Sequence, residues 1–121
     1  MYTVNLDQCK EFIAGDGSNL RELLHPDKAD LKLRYSLAHA IVKPGATLTP
    51  HVLTTSEVYY ILSGKGVMHI GEETEVVFPG TAIYIPPHAL QYIHNPGQDN
   101  LIFLCIVDPA WRIENETVLS R

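Results

Sequence analysis

Glu57 heads an unbroken apolar run, Val58-Tyr59-Tyr60-Ile61-Leu62, which stops at Ser63-Gly64. A run this short, rich in β-branched and aromatic residues, predicts a strand covered on both faces. A carboxylate at the first residue of such a strand has to reach water, give up its charge or meet a cation. That condition governs the whole stretch from Gly45 to Gly64. A Pro44-Gly45 turn opens it, and a polar break, Thr54-Thr55-Ser56, separates His51 from Glu57. Strand side chains repeat every two residues, so His51, six positions upstream, shares the face of Glu57 on an extended path. An imidazole and a carboxylate turned into one cavity suit a transition-metal ion.

The rest of the chain consists of short β-rich segments divided by Gly, Pro, Asn or Asp. That spacing predicts an all-β barrel or sandwich. Tyr2 to Asn5 and Lys10 to Ala14 read as edge strands, with Gly15-Asp16-Gly17-Ser18 as a turn after them. Asn19 to Leu24 could start a helix after Ser18, but a helix so short needs tertiary support, and the strand is preferred. Leu31 to Val42 reads as one long strand. Leu31, Leu33, Tyr35, Leu37, His39 and Ile41 form its apolar parity, and Lys32, Arg34 and Ser36 begin a wet face that dries toward Val42. His39 on the apolar parity is either a hydrogen-bonded core histidine or a pocket-lining group. Further strands follow at Val67 to Ile70, Glu75 to Phe78, Ile83 to Ile85, Leu90 to His94 and Leu101 to Val107. Pro86-Pro87 withdraws two ladder donors and belongs in a turn or at an edge. The tail with Trp111 and Arg112 is expected to fold back over the barrel.

Bulk properties set limits. A chain of 121 residues predicts one domain with a real core. A net charge of -5 without a basic stripe argues against nucleic acid as a partner. No apolar run approaches the roughly 18 residues that a membrane span needs. The opening MYTVNLDQCKEF lacks a signal-peptide pattern, so a cytoplasmic protein is expected. Cys9 and Cys105 are then expected as reduced thiols, although one disulfide is open to them, and Cys105 in LIFLCIV reads as a small core residue. There is no Ser-His-Asp order, phosphate loop or CxxC.

The punctuation resembles the cupin superfamily over roughly Leu31 to Val107. Gly45, His51, Glu57 and Gly64 fall on positions of that family's first motif, with Leu53 where a second histidine stands. Gly80, Pro86 and Asn95 fall on the second motif, with His88 at a glycine position and Gln91 at the ligand histidine. The resemblance implies an antiparallel, jelly-roll-like β-barrel formed by residues 1–121 as a single domain. Carried over by position, it implies a three-residue metal site of His51, Glu57 and Gln91 for zinc, nickel, iron or manganese. Glu57 would be ligand and base, and Gln91 would orient substrate.

Tyr59 shares the parity of Glu57 and joins Gln91 and His39 as a substrate-binding candidate. His88 is placed at the barrel mouth, His69 near the surface, His94 on the opposite parity to Gln91, and Arg34 on the wet face as a weak anion contact. The leading expectation is a small-molecule-acting, metal-dependent enzyme of isomerase, lyase or oxygenase type, on a small polar carbohydrate or carboxylate. The alternative is a metal-free binding or sensor module, and a storage role comes last. Tyr60, Tyr84 and Trp111 give more apolar surface than one small barrel needs, which predicts a homodimer.

Overall fold

The computed structural model describes residues 1–119, which form two antiparallel sheets packed face to face. The strands are β1 (Phe12–Ile13), β2 (Asn19–Leu24), β3 (Ser36–Val42), β4 (His51–Leu53), β5 (Ser56–Ser63), β6 (Gly66–Ile70), β7 (Glu73–Val77), β8 (Ala82–Ile85), β9 (Gln91–His94), β10 (Leu101–Asp108) and β11 (Glu116–Val118). One sheet runs β1-β2-β3-β10-β5-β8, the other β11-β4-β9-β6-β7. This is the all-β, jelly-roll-like barrel that the family resemblance implies, one of the two architectures, barrel or sandwich, that the spacing of turns predicts.

The core lies between the sheets. Ile61, Phe103, Ile93 and Leu101 are fully buried there. Each contributes about 1.5–3 kcal/mol through the apolar surface it removes from water. Gly64 closes the β5–β6 turn at φ +84, and a Cβ on it would meet the Asn100 carbonyl oxygen at 2.5 Å. The motif glycines Gly45 and Gly80 also have positive φ, and His88, at a third glycine position, keeps the left-handed backbone at φ 68.

Asn19–Leu24 is a strand, as preferred. Two readings are corrected. Tyr2–Asn5 is not a strand; Asn5 instead caps a 3-10 turn at Leu6–Gln8, accepting from the Asp7 N–H and exchanging a second bond with Gln8. The long strand starts at Ser36 rather than Leu31, and its inward face is the small one: Ser36, Ala38, Ala40 and Val42 are buried, while Leu37, His39 and Ile41 are only half-buried. Side-chain size misled the parity assignment, because small residues face inward where the barrel keeps a cavity. Within the single chain, β5 packs through Tyr59 and Ile61, which are buried, while Tyr60 and Leu62 on its other face are exposed.

The tail folds back as expected. The Trp111 N–H donates to Ser36 Oγ at 2.9 Å, and the Trp111 carbonyl lies 2.7 Å from His25 Nε2. Arg112 grips Asp27 with two bonds of 2.8 and 3.0 Å. This anchorage delivers β11 to the edge strand β4, in the register Glu116↔Leu53 and Val118↔His51. Cys9 and Cys105 are both free thiols.

Candidate functional site

Antiparallel pairing builds the site from two opposed walls. On the larger sheet Tyr59 pairs with Cys105, and Glu57 with Val107, which turns Glu57, Tyr59 and Cys105 inward together. On the smaller sheet His51 and Gln91 are direct cross-strand partners. A hydrogen-bonded chain ties the walls. Tyr59 OH donates to Gln91 Oε1 at 3.2 Å, Gln91 Nε2 donates to Glu57 Oε1 at 2.9 Å, and Cys105 Sγ donates to Glu57 Oε2 at 2.6 Å. Glu57 is thus held by two neutral donors, one from each wall.

Burial pushes the Glu57 carboxyl above its ordinary range, against the Cys105 thiol, His51 and Gln91, which favour its charge. Burial beside Glu57 pushes the Tyr59 hydroxyl and the Cys105 thiol well up, so both stay protonated as donors. Burial also raises Glu116, against the attraction of His51.

His51 is almost wholly buried, with Nε2 4.0 Å from Glu57 Oε1 and 3.9 Å from Glu116 Oε2. Its Nδ1 lies 3.4 Å from the Thr49 carbonyl, which can only accept. Nδ1 thus faces that carbonyl, and Nε2 is turned between the two carboxyl groups.

The space beyond is a cavity of about 160 Å³ lined by His51, Glu57, Tyr59, Cys105, Glu116 and Asp16, with Phe12, Leu20, Phe103 and Trp111 among its apolar walls. The candidates thus divide. His51, Glu57 and Tyr59 converge on the cavity, while Gln91 stands behind Glu57 and fixes it without lining the space. His39 is absent from the lining and faces the half-buried side, where burial and nearby Arg21 lower its pKa. Its parity opposes that of Ala38 and Ala40, which do line the cavity.

Sequence reasoning missed three groups. Asp16 lies in a stretch read only as a turn; its Oδ1 accepts from the Ser18 N–H and Oγ at 3.0 and 2.8 Å. Cys105 was read as packing, although its parity in LIFLCIV matched Phe103 and offered the one available signal. Glu116 gave none, because only the fold-back of the tail brings it to His51. Of the peripheral histidines, His94 bonds Thr47 Oγ1 at 2.6 Å, His69 stacks on Tyr92 at 4.2 Å and His88 is exposed. Arg34 pairs with Asp108 at 2.8 Å.

His51, Glu57 and Gln91 do not fit a divalent metal as arranged. Both Glu57 oxygens accept hydrogen bonds, and Gln91 points its N–H donors, not its oxygen, at Glu57. The Gln91 oxygen is taken by Tyr59. Leu53, buried in the core, offers no donor. Among the described residues, no group of three or more His, Cys, Asp or Glu could hold a metal ion.

Comparison with known proteins agrees with the fold. The family model described as a cupin domain matches residues 38–107. An uncharacterised protein of Methanocaldococcus jannaschii is 41% identical over 115 residues, 94% of this chain and 91% of that one. A glucose-6-phosphate isomerase of Thermococcus kodakarensis is 30% identical over 97 residues, 76% of this chain but only 47% of the isomerase. Among solved structures, the polyketide cyclase RemF of Streptomyces resistomycificus superposes with a TM-score of 0.76 at 25% identity, over 89% of this chain and 79% of the cyclase.

Proposed function

The chain belongs to the cupin family, and from that premise we propose that it is an enzyme that binds a small polar molecule in its barrel cavity and transfers protons on it, in an isomerase- or lyase-type reaction. Glu57 is the group that gives and takes the proton. His51 Nε2 and Glu116 position the substrate, and Tyr59, Gln91 and Cys105 hold the carboxyl of Glu57 in place. The observation that carries this reading is the Glu57 carboxyl, buried and raised in pKa, yet open on the cavity side and fixed from behind by two neutral donors. A buried carboxyl whose pKa is raised by its surroundings is suited to general acid–base work. The relatives named as an isomerase and a cyclase support chemistry over mere binding.

A metal-dependent version would need Gln91 to turn its oxygen and Glu57 to release both donors. A metal-free sensor would need the same cavity but no proton at Glu57. One experiment separates the three. Purified protein is screened by thermal shift against small metabolites with and without EDTA, and hits are assayed for turnover. The proposal expects hits that survive chelation and are converted, with Glu57→Gln still binding but inactive. Binding or turnover that appears only after adding zinc, nickel, iron(II) or manganese would establish the metal version. Hits that Glu57→Gln and wild type bind alike and neither converts would leave a sensor.

A further inference from the structure

The polar side chains on the cavity lining fall into two groups. Most are engaged within the chain. Asp16 Oδ1 accepts from Ser18, Glu22 pairs with Lys28 at the mouth, and Ser36 Oγ accepts from the Trp111 N–H. Tyr59 and Cys105 donate to Gln91 and Glu57. One locus stays open to a ligand. His51 Nε2 stands 4.0 Å from Glu57 Oε1 and 3.9 Å from Glu116 Oε2, beyond the reach of a direct hydrogen bond. A carboxyl group keeps capacity for a further bond there whether ionised or protonated, and the ring nitrogen donates or accepts as its proton dictates.

The floor of the cavity is apolar. Strand register sets Phe12, Leu20, Ala40 and Phe103 in one row across β1, β2, β3 and β10, and all four line the space. Ala38 lies in the next row, beside Cys105. The space is there because β3 turns only Ser36, Ala38 and Ala40 toward it. Small residues alone define no site, but these enclose about 160 Å³. An apolar cavity of about 150 Å³ accommodates benzene, so the body of a ligand is limited to about one ring. A molecule polar all round would turn hydroxyls toward Leu20, Ala40 and Phe103, and burying hydroxyls without partners is costly.

We propose that the cavity selects a compact, mainly apolar molecule of about one ring with a single hydrogen-bonding group. The body lies on the Ala38 and Ala40 floor, and its polar group turns to the locus between Glu57, His51 and Glu116. Ala40 and Leu20 set the size limit. This rests on the reading of the cavity as the substrate site and narrows its substrate class. It turns away from the carbohydrate expected from sequence, because most hydroxyls of a sugar would find no partner on the floor.

The test uses phenol, 2-naphthol and myo-inositol: one ring with one hydroxyl, two fused rings with one hydroxyl, and one ring with a hydroxyl on every carbon. Each is titrated into protein carrying labelled alanine methyl groups, with the signals followed by NMR. Ala38 and Ala40 line the cavity, and Ala82, exposed on β8, is the control. Phenol is expected to move the Ala38 and Ala40 signals saturably and to leave Ala82 still. It should bind at least about tenfold tighter than either other probe. Ala40→Leu should abolish the phenol response at Ala38, and Leu20→Ala, which lengthens the floor, should admit 2-naphthol. Myo-inositol or 2-naphthol matching phenol on the wild type, or either variant leaving the order of affinities unchanged, would overturn the selectivity while leaving the cavity as a ligand site. Failure of all three probes to move Ala38 and Ala40 would remove both the selectivity and the substrate site it rests on.

Discussion

The Cys105 thiol donates to Glu57 Oε2 across 2.6 Å, and so a cysteine that reads as core packing supports the carboxyl that lines the barrel cavity. Their strands are paired neighbours, and the thiol lies one register step from the carboxyl, next to Tyr59. With its own ionisation pushed far up, the thiol remains a donor throughout the working pH range.

The pH dependence of stability follows from this pair. Burial raises Glu57, and Glu116 is raised as well, so the native state holds these protons more tightly than the unfolded chain does. Between the unfolded and native pKa values unfolding releases a proton, and rising pH favours it. The contribution is therefore complete below the ordinary glutamate range and is lost as pH climbs through the raised native values. Thermal melts should show the melting temperature falling over that window and levelling above it. Glu57→Gln should flatten the fall, with the residue of the slope belonging to Glu116. Cys105→Ala removes a donor that lowers Glu57, and it should push the end of the window to higher pH, whereas Cys105→Ser should keep it near wild type.

Tyr59 tests the other arm of the network. Tyr59→Phe keeps the ring on Phe103 but leaves Gln91 Oε1 buried without its donor. An unsatisfied buried acceptor costs about 1–3 kcal/mol, and urea denaturation should show a loss of that size. Gln91→Leu in the Tyr59→Phe background removes the orphan on that side. It also takes a donor from Glu57, so the double variant should raise the Glu57 pKa above that of Tyr59→Phe alone.

These residues mark how far the sequence could be read. Turn chemistry was legible: Gly45, Gly64 and Gly80 stand at positive φ, and the strands between them fall close to where alternation predicts. Parity carried Glu57 and Tyr59 into one cavity, because a period of two survives any small error in strand ends; His51 reaches it from β4 of the opposite sheet, so the extended path expected to join it to Glu57 is not what brings the two together. His39 failed by the same logic. In Ser36 to Val42 the larger residues face outward, and hydrophobic size alone assigns the wrong face. Glu116 and Asp16 reach the site through a tail strand and a turn, and contacts between segments so distant in sequence leave no periodic trace. The amide of Gln91 could be placed from the chain, but its rotation, set by Tyr59 on one side and Glu57 on the other, could not.

Two backbone sites give predictions of opposite sign. Gly64→Ala puts a Cβ 2.5 Å from the Asn100 carbonyl oxygen and 2.9 Å from the Leu101 Cα at a left-handed φ. The left-handed conformation alone costs about 1–2 kcal/mol for a residue with a Cβ, and the contact with main chain adds to it. A loss beyond that range is expected in chemical denaturation. His88 already bears the left-handed penalty in an exposed turn. His88→Gly should stabilise the fold by up to about 1 kcal/mol, reduced by the greater freedom of glycine in the unfolded chain.

The outer face of the larger sheet supports the last prediction, a homodimer. Tyr60, Leu62 and Tyr84 stand exposed there at 43%, 43% and 65%, beside half-buried Ile102, Leu104 and Ile106 of β10. Tyr60 pairs with Leu104 on one side and Ala82 on the other, and Tyr84 with Val58, so these side chains form one continuous patch. A patch of this kind on a sheet face is covered in stable assemblies, and a second copy offers the same apolar surface in return. Sedimentation equilibrium at micromolar concentration should give twice the 13.5 kDa chain mass. Tyr60→Glu with Tyr84→Lys should shift the mass toward one chain while the cavity, on the opposite face of the same strands, keeps its ligand response. A wild-type mass of a single chain at that concentration would mean that the patch is left to solvent or to a different partner.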